Sequence, residues 1–136
     1  MKDAASWPLV LLPQRWTLYR LPPDVPWPPE ALRTPWAFLA RTPEEVSLLL
    51  PEDVAAPEGG RAQGPWRGFR VATVLALDLV GVLAGLSQTL AAAGVPLLAV
   101  STHDTDYLFV PAERLEAATQ AFRQAGYRLL EETDAR

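Results

Sequence analysis

The chain has no cysteine and a single histidine, His103. Without thiols, neither a disulfide nor a thiolate metal site can form, and one imidazole cannot build a multi-histidine centre within one chain. Basic residues are outnumbered, 12 Lys and Arg against 16 Asp and Glu, for a net charge of −4 and a pI near 4.9. Nucleic-acid binding draws on a basic face that releases counterions, so this balance argues against it. No apolar run approaches the roughly 20 residues that a membrane span requires. The opening Met1-Lys2-Asp3-Ala4-Ala5-Ser6 leads into no apolar core adequate for a secretory signal. The expectation is a soluble cytoplasmic protein without a nucleic-acid or membrane partner.

Catalytic signatures are missing too. There is no G-x-S-x-G elbow, no Walker loop and no metal-ligand spacing. The glycine-rich stretch Glu58–Pro65 is followed by no GKS/T, which a phosphate-cradling loop needs. Ser101, His103 and Asp104 supply the residue types of a catalytic triad. Neighbouring turn positions, however, do not converge a nucleophile, a base and an orienting acid in the required order. The acidic turn can hold a divalent cation at most weakly, and its spacing matches no calcium loop. The chain therefore reads as a non-enzyme with no cofactor.

What is present is an ordinary globular composition, 136 residues of which 49% are hydrophobic and 21% charged. That suits one compact domain or two small halves sharing a core. Most of the fourteen prolines lie before residue 67, which is the natural boundary between residues 1–66 and 67–136.

In the first half, Leu9–Leu12 is a short apolar run closed by Pro13. Trp16–Leu21 alternates bulky and polar residues, the period of a strand with one buried face. Pro22-Pro23 ends it, and a brief helix fits Pro28–Leu32 with proline in its first turn. Trp36–Arg41 and the strand carrying Val46, Leu48 and Leu50 form a hairpin around Thr42-Pro43-Glu44-Glu45. Residues 51–65 show no apolar period and read as a loop.

The second half is more regular. Arg67–Val74 reads as a strand. Asp78 is placed to cap a helix carrying Leu79, Val82, Leu83, Leu86, Leu90 and Ala93, which Gly94 closes. Gly81 and Gly85 sit one turn apart on it. Each costs roughly 1 kcal/mol in helix propensity, to be recovered either in close packing or in backbone left bare for a ligand or second subunit. Leu97–Ser101 and Asp106–Val110 form a hairpin with apolar residues on both faces. Pro111 then opens a helix with Leu115, Ala118, Phe122 and Ala125 in its stripe, and Tyr127–Leu130 is a last strand before a charged tail. The order β-α-β-β-α-β predicts an α+β, ferredoxin-like split unit, an antiparallel sheet with both helices on one face. The other apolar face must meet the first half, a second copy of the chain, or both.

The turn Ser101-Thr102-His103-Asp104-Thr105-Asp106 gathers the histidine, two carboxylates and three hydroxyls. Turn chemistry alone accounts for such residues. In a split unit, however, the first two strands run parallel. Their C-terminal ends share an edge, so the turn borders the start of the helix at Leu79-Val80-Gly81-Val82. Free amides at a helix start attract an anion, and carboxylates beside them take a cation. Together they suit a zwitterion, with Asp106 the first choice for its ammonium and Asp78 and Asp104 the alternatives. His103 reads as a solvated turn residue or a ligand contact.

Several blocks carry a resemblance: Leu12-Pro13-Gln14-Arg15-Trp16 with Arg20-Leu21-Pro22, Phe38-Leu39-Ala40-Arg41-Thr42 with Glu45-Val46-Ser47, Trp66–Val71, Gly81–Ala84 and, most specifically, Ser101–Val110. The chain resembles, over residues 9 to 131, the small bacterial ACT-domain proteins related to the CASTOR-type arginine sensors. That resemblance implies two ACT-like halves, the first degenerate, and a regulatory role with a small-molecule ligand, an amino acid. It implies a homodimer, and ligand-binding positions at Asp78–Val82 and Val100–Asp106. The position of His103 more often carries an aromatic residue in this pattern, and the first half has no second helix before Trp66. The alternative from another class is a structural protein–protein interaction module with a vestigial pocket.

Overall fold

The computed structural model describes residues 7–131, so the opening segment weighed as a leader and the charged tail lie outside the described residues. The chain divides into two compact units, one made of the described residues of Met1–Pro13 and Arg67–Arg136, the other of Gln14–Trp66. The described residues 7–13 thus fall with the second half, not with residues 14–66.

In the Gln14–Trp66 unit, strand β1 (Leu9–Leu21) runs antiparallel to β3 (Val46–Pro51), with Trp16 opposite Pro51 and Leu21 opposite Val46. β3 in turn pairs with β2 (Phe38–Arg41) through the expected hairpin, where Thr42 donates its amide to the Glu45 carbonyl. Strand alternation sends Tyr19, Leu21, Val46, Leu48 and Leu50 to one face. There they bury Ala31 of the five-residue helix α1 (Pro29–Arg33). On the other face Trp16 is fully buried and packs edge-on against Trp36, with ring centroids 6.2 Å apart.

β1 is a single strand through Pro13 rather than two runs broken by it. Leu9–Leu11 pair parallel with β7 (Leu129–Glu131), and Trp16–Leu21 pair with β3. Pro13 falls between those partners, where its missing N–H interrupts neither ladder. β4 (Arg61–Val71) likewise begins six residues before the strand expected at Arg67, in the stretch read as loop.

The other unit follows the expected order: β4, α2 (Val82–Ala92), β5 (Leu98–Ser101), β6 (Asp106–Pro111), α3 (Leu115–Gln124) and β7. Its sheet runs β7-β1-β4-β6-β5. A split unit would place its last strand beside its first. Here Leu9–Leu11 take the place between β7 and β4, and their pairing with β7 is parallel. The run Leu9-Val10-Leu11-Leu12 is apolar on both sides because it is an interior strand, buried above and below.

Leu9, Phe69, Val71, Leu108 and Val110 form the floor on which Leu86 and Leu90 of α2 and Ala118 and Phe122 of α3 rest. Phe122 sits edge-on to Phe69 and to Tyr127. On the opposite face the fully buried Phe109 lies over Gly68, where a Cβ would come within 2.7 Å of its ring.

Helix boundaries differ from expectation at two places. α2 starts at Val82 behind Gly81, whose φ of 92° breaks the helical path; no side chain caps it, so Asp78 is not the cap. Pro111 ends β6, and a short 3₁₀ turn, Ala112–Arg114, precedes α3. Among the described residues, no helix is long and apolar enough to cross a membrane.

Candidate functional site

Strand β4 ends at Val71, and ten residues, Ala72–Gly81, lead from it to α2. This segment is fastened to the β5–β6 turn at two points. The Leu75 amide donates to the Asp104 carbonyl at 2.7 Å, and the Thr105 hydroxyl, itself buried, donates to the Val71 carbonyl at 2.9 Å. The turn is closed by its own threonines. The amide of Thr102 donates to the Thr105 carbonyl at 2.9 Å, and the Thr102 hydroxyl bonds the same oxygen at 3.1 Å.

Between segment and turn lies an open cavity of about 280 Å³. From one side it is lined by Leu75, Ala76, Leu77, Leu79 and Gly81–Ala84, and from the other by Ser101–Asp106. Of the residues singled out from sequence, Leu79, Gly81, Val82, Ser101, Thr102, His103, Asp104, Thr105 and Asp106 meet at this cavity. Three do not. Asp78 occupies the exposed turn that the Leu79 amide closes onto the Ala76 carbonyl, Val80 is 93% exposed, and Val100 is half-buried in β5 away from the lining. The displacement of Asp78 and Val80 has one cause, the late start of α2 behind Gly81.

The carboxylates have different surroundings. Asp106 is half-buried at the start of β6, opposite Ser101, whose hydroxyl donates to Oδ1 at 2.7 Å. That bond supplies the partner an aspartate on the Leu108–Val110 face requires. Asp104 is exposed and meets the Nδ1 of His103 at 2.9 Å, on side chains 65% and 87% exposed. Exposed pairs of this kind contribute little to stability.

The amides of Val82, Leu83 and Ala84 precede the first intrahelical bond, which runs from Gly85 to the Gly81 carbonyl at 3.0 Å. With no capping side chain, this helix start offers partial positive charge toward the cavity. The two helix glycines serve different ends. Gly81 supplies the left-handed turn, and a Cβ there would meet nothing within 4 Å; at Gly85 it would lie 3.2 Å from the Tyr127 hydroxyl. Close packing therefore accounts for Gly85. Tyr127 bonds with the Thr89 side chain, and burial raises the pKa of its hydroxyl above the usual 10.0, the hydrogen bond offsetting part of the rise.

Sequence reasoning missed Leu75, Ala76, Leu77, Leu83 and Ala84. The signal available was the apolar run Val74-Leu75-Ala76-Leu77, which lacks the turn residues a solvated loop carries. Among the described residues no group of three or more His, Asp or Glu side chains is arranged to hold a metal ion.

With this geometry in view, the chain can be placed among known proteins. Residues 61–124 match the family model of the ACT domain. No curated protein matches the chain in sequence. Among solved structures it is similar to the Agobacterium tumefaciens protein Atu0741, with 27% identity over 93% of both chains and a TM-score of 0.84. It shares its fold with the Vibrio cholerae protein VC0802, described as a possible transport protein, at 19% identity over 91% of this chain and 93% of that one, TM-score 0.73. The regulatory subunit of aspartate kinase from Thermus flavus shares it at 17% identity over 87% of this chain and 96% of that one, TM-score 0.59.

Proposed function

We propose that this chain is a small-molecule-binding regulatory module without catalytic activity, and that its ligand is an amino acid seated between the Ala72–Gly81 segment and the β5–β6 turn. The observation that carries this reading is the 2.7 Å bond from Leu75 to Asp104, which holds an uncapped helix start and the half-buried Asp106 on one cavity. The amides of Val82–Ala84 would receive the α-carboxylate, and Asp106 the ammonium, by charge-assisted hydrogen bonds. The ACT-domain match and the likeness to aspartate kinase regulatory subunits support a role that controls another activity. In this reading the Gln14–Trp66 unit is a degenerate ACT-like counterpart that binds no ligand alone, the protein is cytoplasmic, and it acts as a homodimer. Kinship to the CASTOR-type sensors belongs to the same proposal.

Thermal-shift measurements with the twenty amino acids at millimolar concentration test it. A ligand at 100 times its dissociation constant adds about 2.7 kcal/mol to the folded state, which raises the melting temperature by several degrees in a domain of this size. No shift with any amino acid favours the rival interaction module. The rival draws support from Val74 and Val80, 75% and 93% exposed, which present apolar surface outside this cavity. Light scattering at micromolar concentration should give about twice the 14.9 kDa chain mass for either reading as a homodimer.

A further inference from the structure

We infer that the ligand of this site carries an apolar side chain, and that Leu77 and Leu79 select it. The inference rests on the proposed function and names the class of amino acid. The two walls of the cavity divide by chemistry. Hydroxyls, the imidazole and both carboxylates come from Ser101–Asp106, whereas Leu75, Leu77, Leu79, Val82 and Leu83 come from the facing segment. A zwitterion whose charged end is held against the turn and helix start leaves its side chain against the leucines.

Charge opposes an acidic ligand, and the leucine wall opposes a basic one. The described lining holds Asp104 and Asp106 and neither arginine nor lysine. An acidic side chain would find neither arginine nor lysine to pair with and would be repelled by both carboxylates. A basic one would have only the exposed Asp104, already beside His103, to reach for and would leave the leucine wall in water. Leu77 and Leu79 are 76% and 40% exposed, so the wall has apolar area still to be covered. Covering such area is favourable in proportion to its extent. The cavity's 280 Å³ falls just short of the ~300–1,000 Å³ of pockets for drug-sized ligands, the scale of a smaller molecule such as an amino acid.

Calorimetry of the full chain with leucine, alanine, arginine and aspartate tests the inference. Leucine should bind at least about tenfold more tightly than alanine, the low end of what added methylenes are worth in an apolar pocket, and aspartate should give no heat. Leu79→Ser should bring the leucine-to-alanine ratio toward one, whereas Val74→Ser, exposed and off the cavity, should leave it unchanged. Leu77→Ser, at a more exposed position, repeats the test if circular dichroism shows Leu79→Ser misfolded. Arginine or aspartate binding more tightly than leucine overturns the inference, as does a ratio that survives both substitutions. If arginine binds and Asp106→Asn weakens it, only the apolar assignment fails. If no amino acid binds the wild type, the proposed function fails with it.

Discussion

The hydroxyl of Thr105 donates to the main-chain carbonyl of Val71 at 2.9 Å, a buried bond between the β5–β6 turn and the last residue of β4. Thr105→Val keeps the side-chain shape and removes that buried bond's donor. The expected loss is about 1–3 kcal/mol of stability, read as a lower urea midpoint at unchanged slope. Thr102→Val should cost less, because the Thr102 amide continues to close the turn onto Thr105.

Asp106→Asn should weaken ligand binding by about 1.5–3 kcal/mol, roughly ten- to a hundred-fold, by removing the charge-assisted part of the ammonium contact. Asp104→Asn, exposed beside His103, should do much less. Calorimetry with the ligand found by thermal shift decides; equal affinities for wild type and Asp106→Asn would make Asp106 the structural partner of Ser101 and nothing more.

How much of this was legible in the sequence varies by element. The helix α3 stripe, the β5–β6 hairpin and the meeting of its turn with the start of α2 follow from apolar period and strand order. The helix boundary at Gly81 did not follow, because Asp78 is a good cap by composition and only the 92° φ of Gly81 places the start beyond it. The strand continuing through Pro13 was hidden for a different reason. Proline ends a strand wherever its N–H is required, and whether it is required depends on partners distant in sequence. The apolar wall of Leu75 and Leu77 lies between the strand expected to end at Val74 and the helix expected from Asp78, and it goes unmarked because an apolar loop has no periodic signature.

Gly68→Ala should be costly despite the small change. The new Cβ would lie 2.7 and 3.0 Å from two ring carbons of Phe109, which is fully buried. A penalty of about 1–3 kcal/mol is expected for such overpacking. Chemical denaturation of Gly68→Ala, Phe109→Leu and the double variant should show the double variant losing less than the sum of the two single penalties, the mark of direct contact.

Tyr127 gives a pH signature at the alkaline end. Burial raises its folded-state pKa above 10.0, so the folded chain favours the un-ionised phenol more than the unfolded chain does. The resulting stability is present below about pH 10 and is lost as pH rises through the folded-state pKa. Melting temperatures from pH 8 to 11 should therefore fall less steeply for Tyr127→Phe than for wild type. Parallel curves would mean that Tyr127 does not ionise in that window.

The pairing of Leu9–Leu11 with Leu129–Glu131 also bears on how the chain is made. These segments lie far apart in sequence, so Leu9–Leu11 leave the ribosome long before β7 and cannot pair with it until it follows. Closing so long a loop is entropically expensive, and folds that depend on such distant pairings assemble slowly. Until then Leu9, Val10 and Leu12, all fully buried in the finished protein, are sticky surface for chaperones to shield.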